Sequence, residues 1–154
     1  MDAENKGRRY GRVQDQLSEL FTATRDPIAR MATAAALLHA KMDGFFWTGW
    51  YLVRDGELTV GPYQGSLACL TLPVHQGVCW AGIDRREAVI VTDVHSFPGH
   101  IACDSRSRSE IVVPLRDGSG AVVGVLDVDS AHPAHFDAVD QEGLEGVAAL
   151  IYAP

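Results

Sequence analysis

Trp47-Thr48-Gly49-Trp50-Tyr51-Leu52-Val53-Arg54-Asp55-Gly56-Glu57-Leu58-Thr59-Val60-Gly61-Pro62-Tyr63 is the stretch on which the fold turns. An aromatic-rich run, Trp47 to Arg54, and an alternating run, Leu58 to Tyr63, flank Asp55-Gly56. Aromatic and β-branched side chains suit a pleated, half-buried surface, and Asp-Gly tolerates the positive φ angles of a tight hairpin turn. The stretch therefore predicts two antiparallel strands. The same logic repeats further on, where Glu110 to Arg116 and Ala121 to Ser130 flank Asp117-Gly118-Ser119-Gly120. Ala68 to Val74 and Ala88 to Thr92 read as two more strands, with a short helix over Val78 to Arg86 between them.

Working outward, the segment before the first strand is helical. Val13, Leu17, Leu20 and Phe21 recur at helical spacing. Asp26-Pro27 is an N-cap followed by proline at the first helical position, and Ile28, Met31, Ala35, Leu38 and Met42 continue as a buried stripe that Gly44 ends. At the other end Asp137 caps a helix to about Ile151, with Asp140 and Glu142 in its first turn complementing the dipole. Helices, hairpin-linked strands and a last helix give an α+β class: a central antiparallel sheet of about six strands with the N- and C-terminal helices on one face. The 154 residues are expected to form one domain. Its parts are helices in 1–44, sheet and loops in 45–136, and a final helix in 137–151.

Composition narrows the function. Thirteen basic against twenty acidic residues leave a net charge of −7, which repels phosphate backbones and anionic lipid. No apolar run is long enough to span a bilayer, and Met1 to Gly11 is charged, so neither a membrane nor a nucleic-acid partner is expected and the protein is expected in the cytoplasm. Three cysteines do not make a disulfide scaffold in that compartment. They are buried fillers, metal ligands or reactive thiols.

Chemistry concentrates in three places. Asp93 to Ser109 lacks periodicity and is long for a loop in a small domain, which marks a functional or disordered segment. It holds Cys103 among His100, Arg106 and Arg108, cations that could stabilise a thiolate, while Cys69 falls on the third strand and Cys79 at a helix start that could lower its pKa. A zinc site from His95, His100 and Cys103, completed by Cys69 or Cys79, is a rival reading, weakened by the absence of a Cys-x-x-Cys pair. Glu110 opens one strand, and Asp127 and Asp129 sit two apart on its hairpin partner, hence on one face of the sheet. That face is either a solvated side or a cation site in which one carboxyl has a raised pKa and acts as an acid. Trp47 and Tyr51 share a face as well, as core or as the wall of a pocket.

These residues carry a resemblance. Gly61-Pro62-Tyr63-Gln64-Gly65, Leu67-Ala68-Cys69, Gly77-Val78-Cys79, the run Asp93-Val94-His95-Ser96-Phe97-Pro98-Gly99-His100-Ile101-Ala102-Cys103-Asp104, Ser109-Glu110-Ile111-Val112-Val113-Pro114-Leu115 and Gly124-Val125-Leu126-Asp127-Val128-Asp129-Ser130 resemble the free methionine-(R)-sulfoxide reductases. These are stand-alone GAF-domain enzymes. The resemblance implies a GAF-like fold and no cofactor or metal. It implies that Cys103 attacks the sulfoxide sulfur and becomes a sulfenic acid. Cys69 would resolve it as a disulfide that thioredoxin reduces, and Cys79 would be a second resolving cysteine. An assignment of the attack to Cys79 is also compatible with the family. Glu110, Asp127 and Asp129 match the carboxyls that hold the substrate ammonium and protonate the departing oxygen, and Trp47 and Tyr51 match the aromatics around its methyl group. A homodimer is compatible with the resemblance.

The chain departs from the family in Pro73-Val74-His75-Gln76-Gly77-Val78-Cys79-Trp80-Ala81-Gly82, where His75 and Trp80 replace glycines. If the backbone there approaches a substrate, Trp80 is expected to narrow the pocket or to shift its substrate preference. Two other functions remain open at this point: a small-ligand GAF sensor with vestigial cysteines, and a cysteine redox sensor without turnover. A sensor is expected to sit beside an output domain, for which 154 residues leave no room.

Overall fold

The computed structural model describes all 154 residues. Its elements run α1 (Ala3–Leu20), α2 (Pro27–Lys41), β1 (Trp47–Arg54), β2 (Glu57–Gln64), β3 (Thr71–Leu72), α3 (Gly77–Arg85), β4 (Val89–Val91), β5 (Ser109–Arg116), β6 (Val122–Ser130) and α4 (Ala138–Ile151), with short 3₁₀ turns at Phe21–Ala23 and Val94–Ser96. The strands form one sheet in the order β3-β2-β1-β6-β5-β4, and every neighbouring pair is antiparallel. Both expected hairpins form, β1 with β2 and β5 with β6. Asp55 and Gly56 take φ of 52° and 81°, the left-handed pair that such a turn demands.

Period-two alternation sorts the side chains onto two faces. Trp50, Leu52, Ile111, Val113, Leu126 and Val128 pack against α1, α2 and α4. Trp47, Tyr51, Val112 and Val125 face α3 and the loops on the other side. The terminal helices thus share one face, as expected, and α3 lies on the opposite one, where the unusual polar strand residues also point.

Helix ends follow their caps. Asp26 accepts from the Ile28 and Ala29 amides ahead of Pro27, and Asp137 accepts from Val139 and Asp140, whose own carboxylate returns to the Asp137 amide. That carboxylate also receives Tyr10 Oη at 2.7 Å and Lys6 Nζ at 2.8 Å, tying α1 to α4. Arg30 is buried without a carboxylate partner. Its guanidinium instead donates to the carbonyls of Phe21, Thr24, Leu150, Ile151 and Ala153 at 2.7–3.2 Å, so it neutralises the negative end of α4 and locks it to the α1–α2 turn.

Several local readings change. Leu20 and Ile28 are exposed rather than buried. The tighter 3₁₀ turn after α1 swings Phe21 inward in place of Leu20, and Arg30 faces inward from the first turn of α2. α2 caps at Met42, leaving Gly44 in the following turn, and Glu142 lies past the first turn of α4. The third strand shrinks to Thr71–Leu72, because Pro73 has no amide to extend it and the preceding residues bend over the sheet. Cys69 therefore lies on a loop, not on a strand.

Candidate active site

The α3-facing side of the sheet carries a cavity open at one mouth. β1 supplies Trp47 and Tyr51, β5 supplies Glu110, β6 supplies Asp127 and Asp129, and the start of α3 supplies Cys79. The segments 65–70 and 97–108 close over it and bring Cys103 to its lining. Seven of the eight residues singled out from the sequence thus line one cavity, and the eighth, Cys69, is joined to it through its disulfide with Cys103.

The floor is acidic and largely shielded from solvent. Glu110 and Asp127 are buried and Asp129 is half-buried, so the solvated reading of this face does not hold. Burial and the neighbouring acids push Glu110 and Asp129 well above the ordinary carboxyl range, and burial raises Asp127 as well. Ser107 Oγ donates to Asp129 Oδ1 at 2.8 Å. Asp127 Oδ1 is buried with no hydrogen-bond partner at all. A buried carboxylate oxygen left unpaired is costly, and the natural compensation is a cation. Cys79 Sγ and one oxygen each of Glu110 and Asp127 lie within 4.8 Å of one another, so this is where an ammonium or a metal ion could sit. Three protein ligands are one fewer than a structural zinc site uses.

The thiols fall into two kinds. Cys69 and Cys103 form a disulfide, with Cα atoms 5.5 Å apart. The zinc set drawn from His95, His100 and Cys103 is not assembled, since Cys103 is bonded to Cys69. Cys79 is a buried free thiol. Burial first, then Asp127, Glu110 and Asp129, push its pKa well up, against the expectation that the helix start would lower it. At a helix of nine residues the dipole is outweighed by dehydration and by three nearby acids. The cationic setting expected around Cys103 also does not form. Arg106 is held by Asp104 and lies 5.4 Å over the Phe46 ring, and burial lowers the His100 pKa and favours its neutral ring.

The aromatic wall is larger than the sequence suggested. Trp47 stacks on Tyr51 at 5.8 Å between centroids and on Tyr63 at 5.3 Å. Gly49 makes room for it: a Cβ there would lie 2.4 Å from Tyr63 Cβ and 2.7 Å from the Trp47 ring. Trp47 Nε1 donates to the Ser66 carbonyl and Tyr51 Oη to the Cys69 carbonyl, both at 3.0 Å, so the wall also anchors the Cys69 loop. Tyr63, Ser66, Asp104 and Ser107 were not singled out from the sequence. Tyr63 and Asp104 stood inside the motifs, but pairing across strands and loops was needed to give them a role. Trp80 does not narrow the cavity. It is buried behind α3, its indole 3.4 Å from the Leu72 carbonyl and its ring 4.9 Å from His75. His75 takes φ of 62°, the left-handed backbone that a glycine adopts without strain.

Comparison with known proteins agrees with this geometry. The GAF domain family matches residues 23–152. Over 147 residues the chain is 38% identical to the free methionine-R-sulfoxide reductase of Escherichia coli (strain K12), covering 96% of this chain and 88% of that protein. The crystallographic fold of free methionine-R-sulfoxide reductase from Neisseria meningitidis, solved in complex with its substrate, superposes with a TM-score of 0.91 at 41% identity, over 99% of this chain and 89% of that one. The reduced form of fRMsr from Staphylococcus aureus gives 0.88 at 39% identity, over 93% and 92%.

Proposed function

The chain belongs to the free methionine-R-sulfoxide reductases of the GAF fold, and from that premise we propose that residues 1–154 act as one domain that reduces free L-methionine-(R)-sulfoxide to methionine. The observation that carries the reading is the partnerless Asp127 Oδ1 on a floor of three acids, beneath a cysteine pair already joined as a disulfide. A free amino acid brings the ammonium that such a floor lacks. A residue inside a polypeptide brings only an uncharged amide.

In this reading Asp127 and Asp129 hold the ammonium, and Trp47 and Tyr51 pack around the methyl end. Cys103, at the exposed rim, attacks the sulfoxide sulfur. Glu110 gives its proton to the sulfoxide oxygen as the Cys103 sulfur bonds to the substrate sulfur. The hydroxyl then passes from the substrate sulfur to the Cys103 sulfur as that S–S bond breaks, so methionine leaves and Cys103 carries the sulfenic acid. Cys69 then displaces that hydroxyl, which departs as water with the Cys69 proton, and the disulfide forms. A dithiol reductant, thioredoxin in the expected cytoplasmic setting, returns both thiols. Cys79 lies buried among the acids with its pKa pushed up, which supports Cys103 over Cys79 as the attacking sulfur and leaves Cys79 as a second resolving thiol. No helix is long and apolar enough to cross a membrane. The working unit is the monomer or a homodimer.

The test is turnover with dithiothreitol as reductant, on free methionine-(R)-sulfoxide and on its N-acetyl derivative. Free substrate should be reduced, and N-acetylation should lower kcat/KM about 100-fold or more, since it removes the cation and leaves buried acids unpaired. Equal efficiency on the two would overturn ammonium recognition. Absence of turnover on both, with the thiols reduced, would favour a sensor.

A further inference from the structure

Cys69 and Cys103 ride on two segments without regular secondary structure, 65–70 and 97–108 except for the 3₁₀ turn that precedes the latter. Apart from the disulfide itself, one hydrogen bond joins these segments: Ser66 Oγ donates to Asp104 Oδ2 at 2.7 Å. The two partners are placed for leverage. Ser66 lies three residues before Cys69, and Asp104 directly follows Cys103.

Each side of this bond is itself fixed. On the Ser66 side, the Trp47 indole and the Tyr51 hydroxyl take the Ser66 and Cys69 carbonyls. Gly65 takes φ of 118° and passes so near the Phe46 carbonyl oxygen that a Cβ would approach to 2.5 Å. On the other side, Asp104 Oδ1 accepts from the Arg106 amide at 2.9 Å and from Arg106 Nε at 3.0 Å, and Oδ2 accepts from Arg106 Nη2 at 2.7 Å. The Arg106 guanidinium is in turn braced on the Phe46 ring. The Asp104 carboxylate therefore presents Oδ2 to Ser66 in one orientation, and the brace runs back to the residue before β1.

We propose that Asp104, clamped by Arg106, is a positioning residue for the second half of the reaction: by accepting the Ser66 hydroxyl it keeps the Cys69 segment within reach of Cys103 while no disulfide joins them. This rests on the reading of Cys103 as the attacking sulfur and Cys69 as the resolving one. The step it serves is Cys103–S–OH + Cys69–SH → Cys103–S–S–Cys69 + H₂O, in which the sulfenic sulfur is reduced and the Cys69 sulfur oxidised. Without the bond, only backbone anchors on one side restrain the approach, and the effective concentration of Cys69 at the sulfenic sulfur falls. Cys103 is exposed, so a long-lived sulfenic acid there would be taken by small external thiols. The latch thus favours recycling through the intramolecular disulfide over capture by a monothiol.

The experiment is a single turnover of pre-reduced full-length protein with one equivalent of free methionine-(R)-sulfoxide and no reductant. Methionine formation, Cys69–Cys103 disulfide and a dimedone adduct on Cys103 are followed in parallel by quench and mass spectrometry. Ser66→Ala should release methionine at the wild-type rate, form the disulfide roughly tenfold more slowly, and accumulate the Cys103 adduct, a loss expected for one hydrogen bond. Arg106→Ala should move the same step in the same direction, and Ser66→Thr, which keeps the hydroxyl, should restore it. Disulfide formation at the wild-type rate in Ser66→Ala, with no adduct, overturns the proposal. So does a slowed methionine release that fully accounts for the slower disulfide. Cys69→Ser separates this from the underlying reading: it must trap the adduct on Cys103. An adduct on Cys79 instead would overturn the assignment of the attacking sulfur, whatever Ser66→Ala does.

Discussion

Glu110 on β5 and Asp129 on β6 are direct cross-strand partners, two acids opposite one another beside a third, Asp127, one pair further along the same face. Like charges in that relation destabilise a sheet, and burial compounds the cost. Nothing basic from either strand lies between them to offset it. A sheet carries such an arrangement at a site whose missing partner arrives with a ligand, and the partnerless Asp127 Oδ1 is its most exposed symptom in energetic terms.

The first prediction concerns pH and stability without substrate. Glu110, Asp127 and Asp129 all have raised pKa values, from ordinary values of 4.5, 3.8 and 3.8. A raised carboxyl binds its proton more tightly when folded, so its contribution is fully present below about pH 4 and is lost as pH rises through the folded value. Asp93, Asp104, Asp117 and Asp137 are lowered and act oppositely, losing their contribution as pH falls below that range. His39 and His100 are lowered by burial and also act oppositely through the ordinary imidazole range, but both are only half-buried, so between about pH 5 and 8 the three acids of the floor should dominate the slope. Tm should fall across this window, and Glu110→Gln should flatten the fall and raise Tm at pH 8 by roughly 3 °C or more. A wild-type Tm that is flat or rising over the window would contradict it.

The thiols should titrate as two classes. In oxidised native protein, Cys79 is the single free thiol, buried and pushed up in pKa. It should fail to react with a water-soluble disulfide reagent at pH 8 and should react once guanidinium unfolds the chain. In the reduced protein Cys103 should react first. Cys103→Ser should abolish single-turnover methionine formation, whereas Cys79→Ser should keep it and still form the Cys69–Cys103 bond. The reverse pattern would move the attack to Cys79.

Much of this arrangement was legible in the sequence, and the rest failed for identifiable reasons. Asp55-Gly56 and the alternation around it placed β1 and β2 within a residue or so, because turn chemistry and period two are local. The shared face of Asp127 and Asp129 followed from the same period. Their burial did not, because alternation says which residues share a side and not what covers it. Cys69 was misplaced onto a strand because Ala68 to Val74 is apolar enough for one, while the hydroxyl of Tyr51, eighteen residues away, takes the Cys69 carbonyl. The position of Trp80 in the motif does not give its direction. On α3 its side chain points away from the cavity. Ser66 with Asp104 is a contact across thirty-eight residues, and no local pattern announces it.

A structural prediction attaches to Arg30. Its side chain satisfies five carbonyls, two at the turn after α1 and three at the end of α4, and meets no acid. Arg30→Met keeps much of the bulk but leaves those carbonyls unpaired, two of them buried. The midpoint of urea unfolding should drop by an amount equivalent to about 3 kcal/mol, with the slope unchanged. Arg30→Lys should recover only part, since an ammonium cannot span the same fork of acceptors. Activity per folded molecule should be unaffected in both, because Arg30 lies on the face opposite the cavity.

The last prediction separates the acids by role. Asp129 is oriented by Ser107, which donates to Oδ1, and so has the fixed geometry of a binding group. Burial and Asp127 raise both Glu110 and Asp129, but the Ser107 hydroxyl favours the charged form of Asp129 and nothing comparable meets Glu110, so Glu110 is the carboxyl better placed to hold a proton while the aspartates carry the charge. Breaking the S–O bond needs a proton on the oxygen as sulfur is attacked, and Glu110 is the group placed to give one. Glu110→Gln keeps the shape and removes only the acid, so kcat should fall roughly 100-fold or more with KM little changed. Asp129→Asn removes charge from the ammonium site, so KM for free methionine-(R)-sulfoxide should rise about tenfold or more with a smaller effect on kcat. The discrimination against the N-acetyl substrate should shrink in Asp129→Asn and persist in Glu110→Gln, because only the first variant weakens the interaction that N-acetylation abolishes. If instead both variants raise KM alike and leave kcat intact, Glu110 is a third binding acid and the proton comes from elsewhere. Initial-rate kinetics of the two variants on the two substrates decide between these outcomes.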